Sequence, residues 1–323
     1  MKSKTSIIVL NYNGKQFLED FFTSVFSAKL PPFEVIMVDN NSSDGSIEFV
    51  ENKFPGVKIL KMPDNLGFAK AVNNGIKASK GEFVALLNND IVVEKDWLYE
   101  LEKAANVDKK AGFFASKMKW LKDRSILDNT GIIYNWKGKA SDRGKGEKDI
   151  GQYDKQEYVF GVCNGASLYR RKLFDIHGLL DENFFLICDD VDMSFRLQIA
   201  GLKCLYVPTA VVYHVGGGTV GKWTDTKAKY SARHHIYIIL KNFPLKFILL
   251  NFPFIIVERF RNLSGLVKST NLANVPKLLF ETYFGIIKKL PDILEKRREI
   301  QAKKVVSDDY LVSIIDRANF TSD

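Results

Sequence analysis

Residues 82–90 read Glu-Phe-Val-Ala-Leu-Leu-Asn-Asn-Asp, an apolar run that stops at two amides and a carboxylate. The same form occurs twice upstream: TSIIVL at 5–10 ends at Asn11-Tyr12-Asn13-Gly14, and FEVIMV at 33–38 ends at DNNSSDG, residues 39–45. A shorter run occupies 57–60. Helical apolar periodicity extends to Phe26 after the first run and covers 68–78 before the fourth. Short apolar strands alternating with helices predict a parallel sheet covered on both faces. Such sheets bind ligands beyond the carboxyl ends of their strands. The Asn/Asp clusters of this chain fall at those ends.

Further along, the pattern loosens between about 110 and 160. Residues 135–153 (NWKGKASDRGKGEKDIGQY) are polar and rich in Gly and Lys, and predict a mobile loop or lid over the site. Order returns at 158–162, and Asn164-Gly165 begins a turn. Residues 190–200 predict a helix with acids at its start and Gly201 at its end. Two short strands, 205–207 and 210–213, lead into His214-Val215-Gly216-Gly217-Gly218.

The last quarter differs. Residues 236–323 hold 14 Lys and Arg against 9 Asp and Glu, net +5. The most apolar segment, LKFILLNFPFIIV at 245–257, is interrupted by Lys246, Asn251 and Pro253. It is shorter than the ~20 residues that span a bilayer. Residues 275–290 (VPKLLFETYFGIIKKL) show a broad apolar face and a lysine pair near their end. Helices of this kind either pack on the main domain or lie in a membrane interface.

The chain has 323 residues, with 47 Lys and Arg against 38 Asp and Glu and a net charge of +9. That excess favours an anionic partner. Nucleic acid is excluded, because the basic residues are dispersed and no reading helix or RNA-binding signature occurs. Three cysteines, Cys163, Cys188 and Cys204, without a Cys-x-x-Cys pair, exclude a disulfide scaffold or zinc ribbon. The first apolar run is shorter than the ~7–15 residues of a signal peptide. A cytoplasmic protein is expected.

Several residues carry candidate chemistry. Asp90 at a strand end can bind a hard divalent cation or simply begin a turn. Asp39 can accept a hydrogen bond from a base or ribose, or serve its own loop. Gly67 can admit a ligand to the backbone, and Lys70 can neutralise phosphate; close helix packing explains the same residues. Neither a dinucleotide fingerprint nor a Walker loop is present. Asp189, Asp190 and Asp192 put three carboxylates at one helix start, where the macrodipole accounts for one or two. A remaining carboxylate there can act as a general base. His214 is a candidate metal or phosphate ligand, whereas His177, His234 and His235 fit no ligand spacing.

Seven pieces in order resemble family 2 glycosyltransferases of the GT-A fold: IIVLNYNG (7–14), VDNNSSDGS (38–46), NLGFAKAVNNG (65–75), LLNND (86–90), NGASLYRR (164–171), GLLDENFFLICDDVDMSFRLQIAG (178–201) and VPTAVVYHVGGG (207–218). They are most similar to the branch that includes rhamnosyltransferases of bacterial surface polysaccharides. The resemblance implies a catalytic domain over 1–241 and a helical extension over 242–323 that can associate with membrane. It implies inverting transfer from a nucleotide-diphosphate sugar, dTDP-rhamnose first and a UDP-hexose second, to a saccharide or lipid-linked acceptor. On matching positions Asn11, Tyr12 and Asp39 hold the nucleoside, with Gly67, Lys70 and Asn88 also on the donor side. Asp90 and His214 hold Mg²⁺ or Mn²⁺, and Asn164, Gly165 and Asp189 line the acceptor or sugar pocket. Asp190 is the base. The chain has Asn88 where the family's first metal-site Asp falls, and Asp189 where Glu is commoner. The alternative is a non-catalytic sugar-nucleotide-binding or scaffolding protein of the same fold.

Overall fold

The computed structural model describes residues 2–216, 225–269 and 275–315. In chain order the first half comprises β1 (Thr5–Asn11), α1 (Lys15–Phe26), β2 (Glu34–Asp39), α2 (Ser46–Lys53), β3 (Lys58–Lys61), α3 (Phe68–Ala78), β4 (Phe83–Asn88), β5 (Ile91–Val93), α4 (Trp97–Val107) and β6 (Ala111–Trp120). There follow β7 (Leu127–Asn129), β8 (Ile132–Tyr134), β9 (Ala140–Asp142), β10 (Glu157–Val159), β11 (Ala166–Arg170), α5 (Lys172–His177), α6 (Asp189–Ile199) and β12 (Lys203–His214). Four helices end the described chain: α7 (Asp225–Asn242), α8 (Leu245–Ser269), α9 (Val275–Ala302) and α10 (Asp308–Ile314).

The main sheet runs β10-β12-β6-β11-β4-β1-β2-β3. Its first four strands in sequence are parallel, as their unbroken apolar runs require. Alternation along β1 sends Ile7 and Val9 to one core and Ile8 to the other. The first core is completed by Leu18, Phe21 and Phe22 of α1 with Trp97 and Leu101 of α4. The second takes Val72 and Ile76 of α3 with Met193 and Leu197 of α6.

Two expectations change. Beyond β4 the mostly parallel sheet gains β11, antiparallel to both β4 and β6. The two strands expected at 205–207 and 210–213 are one strand, β12, with a register shift between Val207 and Val211 against β6. Residues 135–153 are not a structureless loop: β9 pairs with β8, and Asp149 Oδ2 meets Lys119 Nζ at 2.6 Å and Lys117 Nζ at 3.2 Å. Contacts between distant residues order this segment, so no apolar period announces it.

α7 continues to Asn242, across the expected boundary at 241. A third core joins Phe195 and Ile199 of α6 to Tyr237, Phe243, Phe247, Ile255, Ile293 and Leu311. The inner faces of the last helices therefore pack on the main domain. Among the described residues no helix is long and apolar enough to cross a membrane.

Candidate active site

The carboxyl ends of β1, β2 and β4 bring the Asn/Asp clusters into one hydrogen-bonded group. Asn11 Nδ2 donates to Asp39 Oδ2 at 3.0 Å, and Asn89 Nδ2 donates to Asn11 Oδ1 at 2.8 Å. The other oxygen of Asp39 accepts from the Ser42 backbone N–H at 2.9 Å, so its carboxylate is fixed at the rim. Tyr12 is half-buried beside this group, and Lys70 is exposed on the first turn of α3. Gly67 has φ +78°, and a Cβ there would fall 2.5 Å from the carbonyl oxygen and ring of Phe185. Phe68 N–H donates to that carbonyl at 2.7 Å. The backbone that Gly67 admits among the described residues is this chain's own, which is a packing reason for the glycine.

A second group forms where β4 and β12 end. Asp90 is 6% exposed, and its Oδ2 lies 3.3 Å from His214 Nε2. On the opposite side of the ring, His214 Nδ1 meets Asp128 Oδ2 at 2.8 Å. Asp128 was not singled out in the sequence. It stands in β7, brought to β12 because both strands pair with β6. Its Oδ1 is buried without a hydrogen-bond partner and has Lys145 Nζ at 4.0 Å. Burial disfavours charge on His214, but hydrogen bonds with Asp128 and Asp90 outweigh it and raise the imidazole to about 9. Among the described residues no three His, Cys, Asp or Glu side chains group as a metal site. Asp90 and His214 meet as a pair.

The third group opens α6. Ile187 and Cys188 take left-handed backbone, at φ 57° and 66°, and turn the chain sharply into the helix. A β-branched residue there is strained, a cost tolerated where surrounding contacts over-determine the turn. Asn164 Nδ2 donates to Asp189 Oδ2 at 2.8 Å, while its Oδ1 accepts from Tyr169 Oη at 2.8 Å. Asn164 is thus held from behind and orients Asp189. Burial pushes Asp189 up to about 6 against that hydrogen bond. Asp190, half-buried, is raised well above the usual range by its dense surroundings and then by the charge of Asp189. Asp192 turns away and is fully buried in an ion network.

The second and third groups are joined through the turn before β11, whose Asn164 holds Asp189. Gly165 stands between them, accepting from the Asn88 N–H at 3.0 Å, and a Cβ on it would lie 3.3 Å from the Asn88 amide and 3.4 Å from Cys163 Sγ. His234 contributes from behind: its Nδ1 is 3.1 Å from the Ile187 carbonyl, and burial lowers it to about 4. It is a neutral support for the loop before Asp189.

A parallel half-sheet with amides and carboxylates at its strand ends, facing a carboxylate pair at a helix start, defines the class as a GT-A glycosyltransferase. The chain belongs to glycosyl transferase family 2, whose model matches residues 6–177. It is 28% identical over 264 residues to the N-acetylglucosaminyl-diphospho-decaprenol L-rhamnosyltransferase of Mycobacterium tuberculosis, a match covering 72% of this chain and 83% of that one. Two solved structures share the fold. GalNAc-T7 with UDP, GalNAc and Mn²⁺ has a TM-score of 0.64 at 14% identity, covering 91% of this chain and 58% of that chain. S. aureus TarS 1–349 in complex with UDP has a TM-score of 0.58 at 16% identity, covering 97% and 90%.

Proposed function

We propose that this family 2 enzyme transfers a sugar, with inversion, from a nucleotide-diphosphate donor to a hydroxyl of a saccharide or lipid-linked acceptor in bacterial surface polysaccharide synthesis. The observation that carries the reading is the joining of two groups, Asp90–His214–Asp128 and Asn164–Asp189–Asp190, through the Asn164-Gly165 turn that bonds to Asp189 and to Asn88. A scaffolding protein has no need for a carboxylate pair, Asp189 buried and Asp190 half-buried, kept at this junction without a cation among the described residues. The rhamnosyltransferase relative makes dTDP-rhamnose the first donor to try, with a UDP-hexose the second.

Asn11, Tyr12 and Asp39 serve the nucleoside, and Asn88 and Lys70 lie on the same donor side. Asp90 and His214 fit a shared Mg²⁺ or Mn²⁺. Adjacent ligands of one such ion, each at ~2.1 Å, stand ~3.0 Å apart, and Oδ2 and Nε2 are separated by 3.3 Å. Ions of this class commonly take few protein ligands and complete their shell with substrate phosphates and water, so a two-residue set suffices. Bound there, the ion supplies positive charge to the departing diphosphate. Asp128 accepts from His214 Nδ1–H, which would leave the Nε2 lone pair free for the ion once it is bound, the outer-shell arrangement common at metal-bound histidines.

Asp190 accepts the proton of the acceptor hydroxyl as that oxygen attacks the anomeric carbon. Its raised affinity for protons suits a base that must hold one through the step. Asp189, with Gly165 beside it, orients the acceptor. The catalytic unit is assigned to 1–241 and the helical extension to 242–323, working peripherally at the cytoplasmic membrane face. With dTDP-rhamnose as donor, Asp190→Asn is expected to abolish transfer while calorimetric donor binding stays near wild type. Loss of donor binding in that variant assigns Asp190 to the donor and overturns its role as base.

A further inference from the structure

α8 is apolar on both sides. Its inner face places Phe247 and Ile255 in the third core, and Phe254 meets the ring of Trp136 at 4.6 Å. Its outer face leaves Leu249 67%, Leu250 68%, Phe252 54% and Val257 54% exposed. α9 repeats the arrangement. Leu278 and Thr282 are buried, whereas Phe280, Tyr283, Phe284 and Ile287 stand 45–68% exposed at helical spacings of three and four. Apolar side chains in runs this dense mark a surface that something covers.

Charge selects the occupant. Lys246 on α8, with Lys277, Lys288 and Lys289 on α9, is exposed beside these apolar residues. A symmetric dimer through either of these helix faces would set that face, and its lysines, against itself. An acidic bilayer instead accepts the apolar groups below its headgroups and pairs the ammonium groups with lipid phosphates. The helices lie on such a membrane and do not cross it. The apolar stretch 245–257 is ~20 Å long at ~1.5 Å per residue, against a hydrocarbon core of ~30 Å.

We infer that the outward faces of α8 and α9 are a docking surface for an acidic lipid bilayer, with Leu249, Leu250, Phe252, Phe280, Phe284 and Ile287 as the inserting residues. This deepens the peripheral reading above and needs no particular donor. The test is flotation of the full chain with vesicles of phosphatidylcholine alone or with added phosphatidylglycerol. Wild type is expected to float with the acidic vesicles and to remain behind with the neutral ones.

Leu249→Ser with Leu250→Ser is expected to lower partitioning about tenfold or more, and Lys288→Glu with Lys289→Glu to remove the preference for acidic lipid. Both variants should keep wild-type dTDP-rhamnose hydrolysis and melting temperature, since these side chains project from the surface. Wild type that fails to float, or serine variants that float like wild type, overturns the surface. So does a wild-type dimer that the serine changes convert to monomer without any vesicle binding, because the occupant is then a second copy. Vesicle binding by a chain that hydrolyses neither dTDP-rhamnose nor a UDP-hexose breaks the donor reading and leaves the surface standing.

Discussion

Asp190 and Asp192 lie two residues apart on the first turn of α6 and have opposite surroundings. Asp192 has Lys241 Nζ at 2.9 Å, Arg196 Nε at 3.1 Å and Asn242 Nδ2 at 3.0 Å. Lys241 also pairs with Asp181, which Lys296 reaches at 2.7 Å. Asp190 has Asp189 beside it and no cation within ion-pairing distance among the described residues. One carboxylate is compensated and ties α6 to α7; the other is left half-buried with raised proton affinity. The difference teaches that a cluster of acids in a sequence is several sites, sorted by which carboxylate receives a cation.

The sharpest way to break this comparison is at its catalytic end. Asp190→Asn is expected to lower transfer by about 10²–10⁴-fold, the range for loss of a general base; a variant within tenfold of wild type would place the base elsewhere. At the structural end, Lys241→Met leaves Asp181 and Asp192 buried without their shared cation, at a cost of about 3–5 kcal/mol in urea unfolding at neutral pH. The sign with pH follows from Asp181. Burial works to raise its carboxyl, but Lys241 and Lys296 outweigh burial and hold it well below the usual range. In wild type that contribution is present above the unfolded carboxylate pKa and is lost as pH falls. The deficit of the variant should therefore shrink on acidification; a deficit independent of pH would detach it from these charges.

A smaller effect probes the metal side. Asp128→Asn is expected to weaken Mn²⁺ binding about 10–100-fold, read by calorimetry with dTDP present. Unchanged affinity would reduce Asp128 to a packing role. The smallest effect sharpens the assignment of the Asp189–Asp190 pair. Wild-type kcat/KM should fall on acidification as this pair, raised by burial, takes up a proton. Asn164 favours the charged form through its hydrogen bond, so Asn164→Ala should move that acid limb to higher pH. A limb that stays in place would show that another group controls it.

Much of the donor half was legible because its signal is local. Parallel strands buried on both faces must be continuous apolar runs, and the polar residues that end them cannot lie elsewhere. Asp128 was illegible for the converse reason. Leu127-Asp128-Asn129 carries no motif, and the residue reaches His214 only through two strand pairings with β6. Lys145, within a polar stretch expected to be mobile, approaches the same carboxylate. For Gly67 the sequence left ligand approach and close packing both open, and only the fold shows Phe185 packed against it.

The sequence by itself determined the alternation of strand and helix, the placing of amides and carboxylates at strand ends, and the family. Each follows from periodicity or ordered spacing, which are properties of neighbours along the chain. Tertiary structure alone decided which carboxylates are compensated, which partner holds His214, and which helix faces remain uncovered. Those outcomes depend on charge pairing and burial between residues as far apart as 86 positions for Asp128 and His214. Coulombic energy and desolvation act through space, and chain order carries no measure of that distance.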